Sequence, residues 1–411
     1  MKHRLYLIFL FMIMISANNM DGVITGSATA LSVQTLITYA GANSILGGAV
    51  MTAGFTMAAG VTVAWSSYFP VLGPVTLGTG TITLGRDFLM GGGSTFVNGG
   101  TFTCAGFSVV CPQQSTTFTL GGANAYTING GSLRFNSPVT LNATLNLQGT
   151  TILDGGGNVI TFGSSGVIAV SAGATVIIKN ATLKGLMAGD ITMGSAASNL
   201  TLQDVTWIQS GPLTLSTGNL NIVNDVLMTG SNIFTYSSAN ALSINSLSTL
   251  EFDLGMTFSY ASATNSLLTF SSSSSELFLN GASLFAASAG LNLTTGTLLV
   301  ANTSYLSTSS SISLGNTVSA NDLQVNILPA AQLQVSNGTL NYNNVNAASF
   351  QMGSTGSNIY MGNGTILNLF QTLNLGTGNL FFASSTTLGR ASGIQILGSV
   401  NILGDLAYAS L

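Results

Sequence analysis

The chain has 411 residues, 46% of them hydrophobic but only 4% charged, with a formal net charge of −4. An ordinary globular domain carries about a quarter charged residues, and a disordered one joins low hydrophobicity to high charge, so neither description fits. Seven basic residues against eleven acids leave nothing to neutralise a run of phosphates or to hold anionic lipid, which argues against a nucleic-acid partner.

The chain opens with "MKHRLYLIFLFMIMISANN": a basic start, an apolar run from Leu5 to Ile15, then Ser16 and Ala17. This layout predicts a secretory signal peptide over 1–17 and hence export to the cell surface or beyond. Ile15 stands where such sites usually carry a small residue, so an uncleaved anchor is the alternative. The only histidine, His3, lies inside this segment. A mature chain without imidazole has no Ser-His-Asp or Cys-His mechanism and no His-based zinc site. Neither a cofactor nor a metal is expected. Residues 18–45 are irregular and are assigned to an N-terminal cap. From Ile45 to Trp65 the chain is apolar enough to pass for a membrane span. Yet Phe55, Met57, Gly60, Val61 and Val63 alternate as strands do, and no stable span is expected in the mature chain.

From there one frame recurs: two short strands joined at a glycine. Val75 and Leu77, Gly80, Ile82 and Leu84 carry it in "GPVTLGTGTITLGRD"; Leu213 and Leu215, Gly218, Leu220 and Ile222 carry it in "GPLTLSTGNLNIVND". Further copies turn at Gly131, Gly296, Gly338 and Gly378. Gly60, Gly80 and Gly100 are twenty apart, while Gly131, Gly173 and Gly218 fall about two such periods apart. A period near 21 with alternation inside it predicts an all-β fold, a parallel β-helix over 46–411 whose circuits bury their apolar side only against neighbours. Leu213, Leu215, Leu220 and Ile222 should face inward, and Thr214, Ser216, Asn219 and Asn221 outward. The Leu-x-x-Leu-x-Leu frame of leucine-rich repeats is missing.

Cys104 and Cys111, in "TCAGFSVVC", are the only cysteines. In an exported protein they predict a local disulfide; two buried thiols are the other reading, since Cys104 holds an inward position. Farther along, "TVIIKNATL", "NLTLQDVTW" and "NLNIVNDVL" place Asn180, Asp204 and Asn224 at one point after a strand. These residue types tolerate left-handed backbone and bond to neighbouring turns, so the three predict a structural turn column. With "TTILDGGGNVITFGSSGVIAV" at 150–170, these rungs resemble the right-handed parallel β-helix superfamily, the pectin-lyase-like fold, and in character its adhesin and autotransporter passenger solenoids. The resemblance implies architecture; its members include polysaccharide lyases and hydrolases as well as adhesins.

Catalytic candidates are few. Glu251 and Asp253 stand at i, i+2 in "TLEFDLG", so both carboxylates share one strand face, opposite Leu250, Phe252 and Leu254. Such a pair is what glycoside hydrolysis requires, or it could hold Ca²⁺; a solvated outer face is the plain alternative. Lys184, with Lys179, Asp190 and Asp204, could mimic a lyase base beside acids, though Lys184 stands alone as a base. Asn142, Asn180, Asn199, Asn292, Asn302, Asn337 and Asn363 begin N-x-S/T sequons, which a chain this rich in Asn, Ser and Thr also produces by chance. The ending "NILGDLAYASL" keeps the rung pattern and shows no membrane barrel, leaving room for end-to-end or lateral self-association.

Two functions follow as expectations. The first is a non-catalytic surface solenoid, adhesin-like, presenting Thr, Ser and Asn to glycans or other cell-surface molecules. Ice binding by a Thr row is a variant, set aside because the Thr columns look unsustained in sequence. The second is an exported polysaccharide lyase or glycoside hydrolase.

Overall fold

The structure is a computed structural model. It describes residues 70–411 except 115–116, 288, 317–322 and 347–348, and before residue 70 the strand segments Val23–Ile24, Val50–Met51, Phe55–Thr56 and Thr62–Trp65. The expected signal peptide lies outside the described residues, as does the cap apart from Val23–Ile24, which pairs parallel with Val50–Met51. In the apolar stretch 45–65 the described residues are strand, and among the described residues no helix is long and apolar enough to cross a membrane.

The chain is an all-β parallel β-solenoid with circuits about 23 residues apart. It falls into two compact units, Met1–Ala181 and Thr182–Leu411. In the first, strands repeat in threes. Val75–Thr76, Thr81–Leu84 and Phe88–Leu89 form one circuit, and Phe96–Val97, Gly100–Thr103 and Ser108–Val110 stack on them in the same order. One inward column runs Ile82, Phe102, Ile128, Leu147 and Val170, none more than 2% exposed. Alternation causes this: with side-chain period two, every second residue of a strand meets the residue above it in a dry interior. Aromatic rings thicken the core, with Trp65 against Phe88 at 4.6 Å and Phe88 against Phe102 at 5.2 Å.

The second unit follows the same plan. Leu213, Phe234, Phe258, Leu284, Leu306 and Val335 stack on one wall; Val226, Leu250, Leu277, Leu298, Val325 and Phe350 stack on the next. Phe252 and Phe258 lie nearly parallel, at 7° and 4.7 Å. Leu213, Leu215, Leu220 and Ile222 are buried, while Thr214 and Ser216 are exposed and Asn219 and Asn221 half-buried, as the alternation predicts.

Two features differ from the sequence reading. Circuits are not a fixed 21 residues: in-register partners range from Val63 and Ile82, 19 apart, to Ser307 and Asn337, 30 apart. Secondly, the strand-glycine-strand frame belongs to more than one corner of a three-strand circuit. Near Gly80 it joins Val75–Thr76 to Thr81–Leu84. At Gly131 it is a bulge inside Tyr126–Arg134, between residues of two different walls. The left-handed residue is also sometimes a neighbour of the expected one, Gly78 for Gly80 and Gly376 for Gly378.

Candidate functional site

Glu251 lies on strand Thr249–Phe252 and Asp253 just beyond its end, so the two do not share a strand, but both are half-buried and meet at one amide. The Asn280 amide one circuit above donates to Glu251 Oε1 at 2.9 Å and to Asp253 Oδ1 at 3.4 Å. Thr229 Oγ1 below donates to Asp253 Oδ2 at 3.2 Å, and Asn302 above donates to Asn280 Oδ1 at 2.7 Å. The pair is thus one link in a vertical chain of polar side chains. Leu254 does not join Leu250 and Phe252 in the core; the strand ends at Phe252 and Leu254 is 69% exposed in the following turn.

Register adds a neighbour that sequence distance hid. Asp225, Thr249 and Glu276 form one outward column, and Glu251 lies diagonally beside Glu276. Burial holds the Glu276 carboxyl above its usual range, and the charges of Glu251 and Asp225 push it the same way. Among the described residues, none of these carboxylates is paired with Lys or Arg. No group of three or more His, Cys, Asp or Glu is placed to hold a metal among the described residues.

The lyase-like set is dispersed into separate structural tasks. Lys179 Nζ pairs with Asp154 Oδ2 at 3.7 Å, and Asn180 donates to the other oxygen of Asp154 at 3.4 Å. Asp190 accepts from the Met187 N–H of its own turn, and burial raises its carboxyl. Asp204 accepts from the Asn224 amide at 2.9 Å, and Lys184 is exposed. Asn180, Asp204 and Asn224 have φ of 49°, 53° and 55°, the left-handed shape in which an Asx side chain costs least. Asn302, at φ 52°, takes the same backbone shape at a different corner, between Thr297–Ala301 and Thr303–Leu314.

The disulfide expectation is corrected. Cys104 and Cys111 are free thiols, each fully buried on either side of the Ala105-Gly106 turn. Both fill inward slots of the apolar core, and burial pushes the Cys104 thiol up to about 12 and raises Cys111 as well.

The outer walls hold the more regular chemistry. In the first unit, Thr62, Thr81, Thr101 and Thr127 stand in one outward column, with Thr83 and Thr103 in the adjacent column. Ile82, Phe102 and Ile128 lie beneath them as a rigid floor. Among the described residues none of these six hydroxyls makes a hydrogen bond. Such columns escape a fixed period: Phe102 and Ile128 are in register although 26 residues apart, so counting by 21 misses Thr127. In the second unit an outward ladder runs Ser313, Asn341, Asn368, but its amides are spent on one another: Asn341 donates to Ser313 at 3.2 Å and Asn368 to Asn341 at 3.0 Å.

No protein-family model, no curated protein and no solved structure matches the chain.

Proposed function

We propose that this protein is an exported, non-catalytic surface solenoid, adhesin-like in character, which binds through uncharged polar walls. The observation that carries the reading is the threonine array. Six hydroxyls stand in register over four strands, without a hydrogen-bond partner among the described residues and backed by a packed core. Each can donate one hydrogen bond and accept two, so a repeated wall gathers many weak contacts without a catalytic centre. Glycans and other cell-surface molecules rich in hydroxyls are the partners such a wall suits. The three-strand circuits and the left-handed Asn turns support placing the chain with the pectin-lyase-like solenoids, and the apolar N-terminal run supports export.

Glycan-array binding with a reducing-sugar assay on the same panel tests this. Binding without release of reducing ends, weakened in Thr83→Lys and Thr101→Lys, is the expected result. Turnover of a polysaccharide that is lost in Glu251→Gln, Asp253→Asn or Lys184→Ala would replace this reading with a lyase or hydrolase.

A further inference from the structure

A different wall, in the second unit, carries a row of side chains that no sequence period lines up. Tyr305, Gln334, Tyr360 and Phe381 are in-register partners on four successive strands, although 29, 26 and 21 residues separate them. All four alternate with buried residues and so point outward; Tyr305 is 38% exposed and the other three are half-buried. The column beside it, two residues back on each strand, reads Thr303, Gln332, Asn358 and Asn379. Asn379 donates to Asn358 Oδ1 at 3.1 Å and to the Thr355 carbonyl at 2.7 Å, which fixes the orientation of that amide pair. By contrast the Tyr305 and Tyr360 hydroxyls and the Gln332 and Gln334 amides make no hydrogen bond among the described residues. No residue in either column is charged.

From this face we infer a binding site for a neutral, linear polysaccharide lying along the solenoid axis, which rests on the surface-binding reading above and names its ligand. Strands stack at about 4.8 Å, so Tyr305 and Tyr360 are about 10 Å apart and Phe381 a further ~5 Å on. Uncommitted donors and acceptors spread over that length, on the outward side of one parallel sheet, suit an extended ligand better than a single sugar. Backbone groups in these strands are used in the ladders, so an extended peptide has no edge to pair with. A sugar chain offers what remains: an apolar C–H face to stack on an aromatic ring and hydroxyls for the flanking amides, repeated at each residue. The absence of charge on the wall favours a neutral chain over one bearing uronic acids.

The test uses the full chain and hexamers of β-1,4-glucan, β-1,4-mannan and β-1,4-xylan, with a galacturonate hexamer as the charged comparator, read by calorimetry. Binding to at least one neutral hexamer, roughly tenfold weaker in Tyr360→Ala and in Tyr305→Ala, is expected. Tyr360→Phe should restore most of it, because the ring face remains. Phe278→Ala, an outward aromatic on another wall of the same unit, should bind as the parent does and controls for general loosening. Unchanged circular dichroism and melting temperature in the tyrosine variants show that the fold is intact. Wild-type binding to no neutral hexamer, or only to galacturonate, overturns the inference. So does neutral-glycan binding that survives both tyrosine variants and is lost in Thr101→Lys, a result that leaves the surface-binding reading standing.

Discussion

Gly131 and Gly173 share a left-handed backbone, with φ of 75° and 71°, in different surroundings. A Cβ on Gly131 would run into the backbone carbonyl of Phe107, whereas one on Gly173 would meet nothing within 4 Å. Alanine at either site bears the left-handed cost of about 1–2 kcal/mol. Gly131→Ala should lose at least ~1 kcal/mol more, because a backbone atom must shift. Denaturant melts of the two variants check this, and equal losses would refute the steric part. Glu276 makes a second expectation. Its carboxyl is held above the ordinary range by burial and by Glu251 and Asp225, so the folded chain binds that proton more tightly than the unfolded chain. Stability from this group is therefore greatest below about pH 4.3, the unfolded value, and is lost as pH rises through the raised folded value. Glu276→Gln should melt higher than the parent at pH 7, and the gap should narrow toward pH 4. A lower melting temperature for the variant at pH 7 would show that the carboxylate is stabilised by something else.

At the scale of strands, the inward and outward sets can be checked on adjacent residues of Gly100–Thr103. Phe102 is fully buried against Phe88 and Phe96, so Phe102→Ala should cost about 3–5 kcal/mol. Its neighbour Thr101 faces out and its hydroxyl has no hydrogen-bond partner among the described residues, so Thr101→Ala should stay within about 0.5 kcal/mol. Comparable losses at both positions would mean the register is shifted by one. This much was legible in the sequence, because alternation is a local signal and Leu213, Leu215, Leu220 and Ile222 declare their side within ten residues. What lies above what was not legible. Circuit length is set by how many residues each turn takes, and turns of this chain vary freely in Ser, Gly and Asn without changing the strand pattern. The Thr127 hydroxyl joins Thr101, and Tyr360 joins Tyr305, only once turns of unequal length have been counted out in space. The same blindness separated Glu276 from Glu251 and Asp225. Asn180, Asp204 and Asn224 were visible because each makes its left-handed corner at the same point inside a strand, five residues on from the first residue of Thr175–Leu186, Asn199–Gln209 and Asn219–Thr229.

Within each unit, cohesion comes from stacking neighbouring circuits, and charge has little part in it. Circuits bury their apolar residues against those beside them, which makes the stability of a unit close to a sum of nearest-neighbour terms. Only 4% of residues are charged, and the Lys179–Asp154 pair is partly exposed, with side chains 30% and 16% accessible, a setting in which such pairs contribute about 0–1 kcal/mol. Salt screens charges and leaves dry stacking almost untouched. Sodium chloride raised from 0.05 to 0.5 M should therefore move the melting temperature by only about 1–2 °C. The direction should be upward, since screening relieves repulsion among Asp225, Glu251 and Glu276 more than it weakens the partly exposed Lys179–Asp154 pair. Removing the charge in Glu276→Gln should shrink the rise. Reductant belongs to the same experiment, because Cys104 and Cys111 are buried thiols whose cohesion is ordinary apolar packing. Melts with and without dithiothreitol should coincide. A fall in melting temperature with reductant would reveal a cross-link between the two cysteines, and a steep fall with salt would reveal ion pairs that hold circuits together.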